Sequence, residues 1–299
     1  RDRSVSRGLG DVYKRQLYVP TSLKEVIITG GKSIDDFAFK GCNGLKSIVI
    51  PNSVTDIGSS AFEYCKNLTS IVIPNSVTWI GDSAFENCTS LTSIEIANSI
   101  TNIGEFAFCY CTSLTNVYYK GTIEDWCNIS FNSYYSNPMS YSSYYSNPMS
   151  YASHFYMLDE NKEYKEVAEI VIPETITKIG NYQFCDFSNI TNITIQNSVT
   201  SIGDSAFSGC TSLTSIEIPN SVTSIGDSAF SGCTNLTKIT IPDSVISIGS
   251  YAFRKCTSLP EITIPDSVIS IGRYAFEDCK NLENVYYKGT MEDWCNISF

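Results

Sequence analysis

A repeat of 23 residues runs through most of this chain and limits the fold more than any other feature of the sequence. Its most regular markers are an Ile-Gly pair, an Ala-Phe pair, and a cysteine three residues after the phenylalanine. The cysteine marker occurs at Cys42, Cys65, Cys88 and Cys111 and again at Cys210, Cys233, Cys256 and Cys279. A unit of this length cannot bury its own apolar face, so successive copies must stack and share one continuous core.

Each repeat predicts one β-strand followed by turns. The segment L-x-x-I-x-I alternates apolar and polar residues at its end, as in Leu213, Ile216 and Ile218, which is the periodicity of a strand. A proline then blocks continuation of the strand, and Asn or Asp with Ser favours a turn. The D-S-A-F-S-G-C segment that follows predicts about one helical turn. Eleven strands are expected, five within residues 23–119 and six within residues 167–287.

The units written N-S-V-T-S-I-G-D-S-A-F-S-G-C-T-S-L-T-S-I-E-I-P resemble the BspA-like class of leucine-rich repeats. The resemblance covers about residues 17–299 apart from one insertion, and the repeat length falls within the range of leucine-rich repeats. It implies an α/β leucine-rich-repeat solenoid with one short parallel strand per coil, turns and short helical segments. It also implies a surface-exposed or secreted protein of anaerobic bacteria or parasitic protists that acts in adhesion and protein binding.

Four segments are expected along the chain. Residues 1–16 share nothing with the repeat and resemble a translated sequencing adapter, so we expect a non-native leader there, with a basic tail as the alternative. Residues 17–131 are expected to form a first repeat block and residues 132–153 a linker. Residues 154–299 are expected to form a hairpin and a second block. We expect both natural ends of the protein to lie outside this sequence.

The motif Y-Y-K-G-T interrupts the repeat at residues 118–122 and 286–290. Its threonine begins a T-x-x-D capping box, so a short helix is expected to start there. Trp126 and Trp294 are then expected to lie over the last coil and cover its apolar end, as repeat stacks require. A ligand-binding role for these two tryptophans is the alternative.

The first of these motifs is followed by a tandem duplication rich in Tyr, Ser, Asn and Pro, at residues 133–152. This composition predicts a loop or linker, and a tyrosine-rich binding loop is the alternative. The segments H-F-Y-M-L and Y-K-E-V-A-E-I-V-I-P come next, separated by a polar turn. They predict a β-hairpin that opens the second block.

The charge of the chain disfavours two classes of partner. The formal net charge is −11 at pH 7, and an acidic chain repels the phosphates of nucleic acids and the surface of anionic membranes. No apolar run is long enough to cross a bilayer, so we predict no membrane insertion by this segment. A polar, hydrogen-bonding surface suits a protein or glycan partner better.

The repeated cysteines are expected to point inward as small buried hydrophobic residues with free thiols. Zinc needs four ligands that converge tetrahedrally, whereas a repeat places one cysteine per coil in a row. We therefore predict no metal site. Four cysteines lie outside the repeated position, and their role stays open: Cys109, Cys127, Cys185 and Cys295.

We find no motif for catalysis and predict neither catalytic residues nor a cofactor. His154 is the single histidine, and it has no placed Ser, Cys or Asp partner in the sequence. Asp82, Asp204 and Asp227 recur where each predicted helical turn begins, so helix N-capping explains them. Phosphate-binding glycine loops, zinc-binding H-E-x-x-H and nucleophile elbows do not occur.

The strands are expected to form a parallel sheet with two outward columns of side chains, one member of each per coil. These columns vary while the rest of the repeat is nearly constant, which is typical of a binding face, although drift of a solvated surface would look the same. The predicted ligand-binding residues are Glu95, Tyr118, Glu217, Lys238, Thr240, Glu261, Thr263 and Tyr286.

The sequence thus predicts a non-enzymatic recognition or adhesion module, on the cell surface or secreted, that binds a protein or glycan through its sheet. Two alternatives stay open. The array could be a passive stalk without any partner, or the targeting arm of a larger secreted enzyme whose catalytic domain lies elsewhere.

Overall fold

A computed structural model of the protein describes residues 22–131 and 147–299. It comprises two compact units: residues 22–122, 129–131 and 147–165 form the first, and residues 123–128 and 166–299 form the second. The predicted leader and most of the predicted linker lie outside the described residues.

Each coil begins with a strand of three or four residues. These strands are β1 (Glu25–Ile27), β3 (Ser47–Val49), β5 (Ser70–Val72), β7 (Ser93–Ile96) and β9 (Asn116–Tyr119) in the first unit, and β13 (Glu169–Val171), β15 (Asn192–Thr194), β17 (Ser215–Glu217), β19 (Lys238–Thr240), β21 (Glu261–Ile264) and β23 (Asn284–Tyr287) in the second. The eleven strands expected from the repeat are all present.

A second, two-residue strand follows in most coils and ends at an isoleucine, except in the last of these strands in the first unit, where it ends at a phenylalanine. These strands are β2 (Ser33–Ile34), β4 (Asp56–Ile57), β6 (Trp79–Ile80), β8 (Asn102–Ile103) and β10 (Ser130–Phe131), then β14 (Lys178–Ile179), β16 (Ser201–Ile202), β18 (Ser224–Ile225), β20 (Ser247–Ile248) and β22 (Ser270–Ile271). Pairing within both strand sets is parallel, mostly between residues 23 apart, so equivalent residues of successive coils lie side by side.

The core of each unit consists of columns of identical side chains. Phe39, Phe62, Phe85 and Phe108 stack in the first unit, with ring centroids 5.2 to 5.4 Å apart and nearly parallel planes. A second column runs through Phe184, Phe207, Phe230, Phe253 and Phe276 at 5.4 to 5.7 Å. Buried Ile, Leu, Val and Cys columns flank both stacks. The predicted continuous core is confirmed.

The D-S-A-F-S-G-C segment is not helical, contrary to the sequence-based prediction. Its second and sixth residues adopt left-handed backbone conformations, as Ser205 (φ 52°) and Gly209 (φ 73°) show. With this backbone, every second N–H points toward the next coil. The N–H groups of Ser205, Phe207 and Gly209 each donate to a carbonyl of that coil at 2.8 Å. A helix would keep these bonds within the segment. We call this row of inter-coil bonds the turn ladder.

The recurring aspartates also join coils, and the predicted N-capping role is wrong. Oδ1 of Asp204 accepts the N–H of Asp227 at 2.9 Å, and Oδ1 of Asp227 accepts the N–H of Ser250 at 2.6 Å. Asp82 binds Glu105 N–H in the same way at 2.8 Å. No helix begins beside these aspartates, so they have no N-terminal turn to cap. Each carboxylate instead accepts the backbone N–H of the residue 23 positions further on.

The predicted hairpin is present as β11 (His154–Leu158) and β12 (Tyr164–Glu166), joined by a turn in which Asp159 N–H donates to the carbonyl of Glu163 at 2.9 Å. It extends the sheet of the first unit, with β11 parallel to β9, so the prediction that it opens the second block is wrong. Inward and outward residues alternate along β11, and this pattern explains why the strand pairs with β9. It places an apolar side chain of β11 beside the buried side chains of β9.

Short helices follow both Y-Y-K-G-T motifs, as predicted: α1 (Ile123–Cys127) and α2 (Met291–Cys295). Thr290 and Asp293 form the expected capping box of α2. The Trp294 ring lies over the last coil, 5.2 Å from Tyr287 between centroids. A 3-10 turn, Pro148–Ser150, precedes β11.

Trp126 of α1 is buried in the second unit. Its ring packs edge-on against Phe187, with centroids 5.7 Å apart, and its Nε1 donates to the carbonyl of Gln183 at 2.8 Å. The side-chain amide of Gln183 donates back to the Trp126 carbonyl. This tryptophan thus covers the first coil of the second unit.

The glycine of the Ile-Gly pair allows close contact between coils. A Cβ atom on Gly226 would lie 2.6 Å from the carbonyl carbon of Gly203 and 2.7 Å from the amide nitrogen of Asp204. Both are backbone atoms that the adjacent ladders hold in place. Any larger residue at this position therefore forces two coils apart.

We expect Gly226→Ala to lower the free energy of unfolding by about 1–3 kcal/mol, the usual effect of overpacking. Gly30→Ala is a matched control, because a Cβ there would meet nothing within 4 Å and the change should stay within about 0.5 kcal/mol. Urea denaturation followed by circular dichroism measures both. Equal stabilities of the two variants would contradict the close-contact role.

Candidate functional site

The outward side chains of the first strands form one exposed surface in each unit, which we call the sheet face. In the first unit, Ile94 and Val117 are buried whereas Glu95 and Tyr118 between the inward residues are partly exposed. Val72, Glu95 and Tyr118 are successive Cα partners, so they form one outward row. The geometry thus places the predicted variable columns on a common surface.

Six of the eight predicted binding residues belong to the sheet face of the second unit: Glu217, Lys238, Thr240, Glu261, Thr263 and Tyr286. Glu217 and Thr240 are Cα partners on neighbouring strands, as are Thr263 and Tyr286. All six are exposed or half-buried. They line the two columns and do not converge on one pocket, so they can make many separate contacts along an extended surface.

Three tyrosines meet on the sheet face of the first unit and form what we call the tyrosine cluster: Tyr118, Tyr156 and Tyr164. The rings of Tyr118 and Tyr156 stack with centroids 4.9 Å apart, and Tyr164 packs edge-on against Tyr118 at 4.9 Å. All three are partly exposed. Their mutual packing holds each ring in place and leaves an aromatic surface open to solvent.

Charged groups border the tyrosine cluster. Lys120 forms a salt bridge with Glu95, which precedes Tyr118 in the outward row. Burial raises the pKa of the Tyr164 hydroxyl above its ordinary value, and the nearby Glu95 carboxylate raises it further. The hydroxyl therefore stays protonated beside the Glu95 carboxylate, with its oxygen buried under the cluster.

Sequence reasoning found Glu95 and Tyr118 of this group but missed Tyr156, Tyr164 and Lys120. A signal for Tyr156 was present, because inward and outward residues alternate along H-F-Y-M-L. Its tyrosine points to the same face as Tyr118 once the two strands pair. The pairing of β11 with β9 could not be read from the repeat, because the hairpin interrupts its period.

The cysteine column points inward, as predicted. The cysteines of the column are buried except Cys279, which is half-buried, and all twelve cysteines of the chain are free thiols in the structure. Column thiols donate to the carbonyl of a phenylalanine 26 residues earlier, as Cys88 does to Phe62 at 3.2 Å. Burial raises the pKa of these thiols, to about 12 for Cys65 and Cys111. Such thiols are poor nucleophiles and poor metal ligands.

The described residues contain no group of three or more His, Cys, Asp or Glu side chains that could hold a metal ion. His154 lies on β11 with its ring 6.3 Å from that of Tyr156, at the edge of the tyrosine cluster. In residues 22–131 and 147–299, no helix is long and apolar enough to cross a membrane.

The chain belongs to the BspA type leucine-rich-repeat family. Six copies of this repeat region are recognised, over residues 13–137, 162–283 and 223–299. No curated protein matches the chain in sequence. The family assignment agrees with the solenoid of parallel strands and with the repeat that defines its core.

Solved structures of bacterial repeat proteins share the fold. A leucine-rich cell surface protein from Faecalibacterium prausnitzii is 25% identical, with a TM-score of 0.55 over 92% of this chain and 82% of its own. A leucine-rich-repeat protein from Eubacterium ventriosum is 22% identical, with a TM-score of 0.56 over 88% of this chain and 72% of its own. The pneumococcal vaccine antigen PcpA is 21% identical, with a TM-score of 0.59 over 90% and 69%.

We expect alkaline pH to destabilise the protein through the cysteine column. The pKa of an ordinary thiol is 9.0 and that of folded Cys111 about 12, so between these values the unfolded chain releases a proton that the folded chain retains. The free energy of unfolding therefore keeps its full value below about pH 9 and decreases as the pH rises toward 12. Each such thiol removes about 1.4 kcal/mol per pH unit. Urea denaturation across this pH range measures the slope.

The matched variants for this measurement are Cys111→Ala and Cys295→Ala. The first should reduce the slope by the contribution of one thiol, and the second should leave it unchanged because Cys295 is exposed. Identical slopes for wild type and Cys111→Ala would show that the column does not retain its protons.

The stacking of Tyr118 on Tyr156 is expected to contribute about 0.5–1.5 kcal/mol of coupling energy. A double-mutant cycle with Tyr118→Ala and Tyr156→Ala measures it by chemical denaturation. The control cycle pairs Tyr118→Ala with Thr240→Ala, a residue of the other unit, and should be additive within about 0.5 kcal/mol. Additivity in both cycles would mean that the tyrosine cluster is not a rigid surface.

Proposed function

We propose that this protein is a cell-surface recognition module that binds a protein or glycan partner through its sheet face and acts by binding, not by catalysis. Its membership of the BspA type repeat family supports a repeat-based binding or adhesion role. The similar structure from Faecalibacterium prausnitzii is described as a cell surface protein, which supports the location.

The tyrosine cluster is the observation that carries this proposal. Tyrosine offers a large, amphipathic contact surface with few rotatable bonds, so its binding costs little conformational entropy. Tyr118 is already fixed between Tyr156 and Tyr164, which lowers that cost further. Sugar rings and extended peptides both present apolar faces with hydroxyl or amide edges, which suit aromatic rings bordered by Glu95 and Lys120.

The second unit is proposed to add weaker contacts along its outward rows. Glu217, Thr240 and Thr263 offer hydroxyl and carboxylate groups at regular intervals, one per coil. Repeat proteins commonly use such an extended face, where many small contacts sum to useful affinity.

The test is a screen of the labelled chain against an array of glycans and an array of extracellular-matrix proteins, followed by affinity measurement for each hit. The double variant Tyr118→Ser and Tyr156→Ser is expected to bind at least about 10-fold more weakly, because the aromatic surface is lost. Tyr64→Asn is the matched control: Tyr64 is exposed in the turn ladder, and Asn87 occupies the same position of the next coil.

Unchanged affinity in the tyrosine variant would place binding on another surface. The absence of any hit on both arrays would favour the passive stalk. Circular dichroism of each variant shows whether the fold is intact, so that lost binding is not confused with unfolding.

A further inference from the structure

The second strands of the first unit form a sheet of their own, in the order β10-β8-β6-β4-β2, and their outward side chains lie in one row. Parallel pairing places one member of the row on each coil, and neighbouring strands are about 4.8 Å apart. We call it the Trp79 row, and its members are Ser33, Asp56, Trp79, Asn102 and Ser130. It is separate from the sheet face, which belongs to the first strands.

The stacking of coils does not require a tryptophan at this position. Trp79 is partly exposed, whereas the next residue, Ile80, is buried in the core, so the indole ring lies on the outward side of the strand. In the second unit, the equivalent position is a serine in four successive coils: Ser201, Ser224, Ser247 and Ser270. The same strand geometry thus forms with a small polar side chain, and packing does not account for the tryptophan.

Trp79 and its two neighbours in the row offer hydrogen-bonding groups that the protein does not use. Within residues 22–131 and 147–299, Nε1 of Trp79 meets no acceptor, and it is open to solvent. Thr101 Oγ1 donates to Oδ1 of Asn102 at 3.1 Å, which orients the amide and leaves Nδ2 as a second donor. Thr55 Oγ1 donates to Oδ2 of Asp56 at 2.7 Å, which leaves Oδ1 as an acceptor. The row thus combines an aromatic ring with two donors and one acceptor.

Exposed threonines precede the middle members of the row and add further acceptors. Oγ1 of Thr55 lies within hydrogen-bond distance of the carbonyl of Lys32 at 3.0 Å, and Oγ1 of Thr101 lies 3.2 Å from the carbonyl of Thr78. Because a hydroxyl has only one proton and an acceptor within the protein already engages it, each of these hydroxyls can only accept from a ligand. A ligand along the row must therefore supply donors at the interval of the coils.

Carboxylates beside the row restrict the charge of that ligand. Oδ1 of Asp36 and Oδ1 of Asp82 lie within contact distance of where a Cβ on Gly58 and on Gly104 would be, and these glycines follow members of the row by two residues. Each of the two carboxylates accepts a backbone N–H of the next coil, at 2.6 and 2.8 Å. They repel an anionic ligand. A cationic ligand would leave the two donors of the row unused, so a neutral ligand fits best.

We propose that the Trp79 row is a second binding site of this protein and that it binds a neutral polysaccharide. One sugar ring packs its apolar C–H face on the Trp79 ring, and its hydroxyl groups, which both donate and accept, bind Asn102 and Asp56. The neighbouring sugars extend over the threonines of adjacent coils, as extended ligands do on repeat proteins. This site does not depend on the sheet face.

The probes are four soluble neutral polysaccharides, xyloglucan, galactomannan, arabinoxylan and dextran, each cast into a native gel through which the full chain migrates. We expect at least one of them to retard the protein. Trp79→Ser should weaken that binding at least about 10-fold and Asn102→Ser about 5-fold, the effect of one hydrogen bond. Both variants introduce the serine of the second unit, so the fold should be kept, which circular dichroism checks. Tyr64→Asn is the matched control, because it removes an exposed aromatic ring of the same unit outside the row.

The proposal is overturned if none of the four polysaccharides retards the protein, or if Trp79→Ser is retarded as strongly as the wild type. Stronger retardation by polygalacturonate, or binding of octa-arginine that Trp79→Ser abolishes, would overturn it as well, because the ligand would then be charged. Retardation that is kept in Trp79→Ser and lost in the double variant Tyr118→Ser and Tyr156→Ser would assign the glycan to the sheet face. That result supports the proposed function and rejects the second site, so the two failures are distinguishable.

Discussion

Hydrogen bonds between residues about 23 positions apart hold every coil of this protein to its neighbours, and all other features depend on keeping that spacing constant. Strand ladders, the turn ladder and the aspartate contacts use the same interval. Threonines add to it, as Oγ1 of Thr92 donates to the carbonyl of Thr69 at 3.0 Å. The phenylalanine and cysteine columns form because the backbone has already been aligned. An inserted residue must therefore be accommodated within its own coil, because a shift in register would turn the following side chains to the wrong face.

The repeat made the fold predictable, and the residues outside the repeat set the limit of that prediction. Eleven strands and the buried columns follow from apolar spacing alone, because identical side chains must superpose in a stack. The turn ladder was mistaken for a helix, since Ser205 adopts a positive φ that its residue type does not indicate. The tyrosine cluster was found only through Tyr118, because its other members lie in the hairpin, whose partner strand is set by tertiary packing.

The constant and the variable positions of each coil have different roles. Inward residues and glycines such as Gly226 are fixed by contacts with the neighbouring coil, and little substitution is compatible with them. Outward residues make no contact that the stacking of coils requires, so the fold leaves their chemistry free. The outward surface can therefore vary without a change in architecture, as the different residues of the two sheet faces show.

The turn ladder gives the stack a chemical direction. In both units its N–H groups point toward the following coil and its carbonyl groups toward the preceding one. One edge of such a ladder presents donors only and the opposite edge acceptors only. Each edge therefore matches its opposite but repels a copy of itself. Contacts between molecules through these edges must run head to tail, an arrangement that yields open chains and excludes a two-fold symmetric dimer.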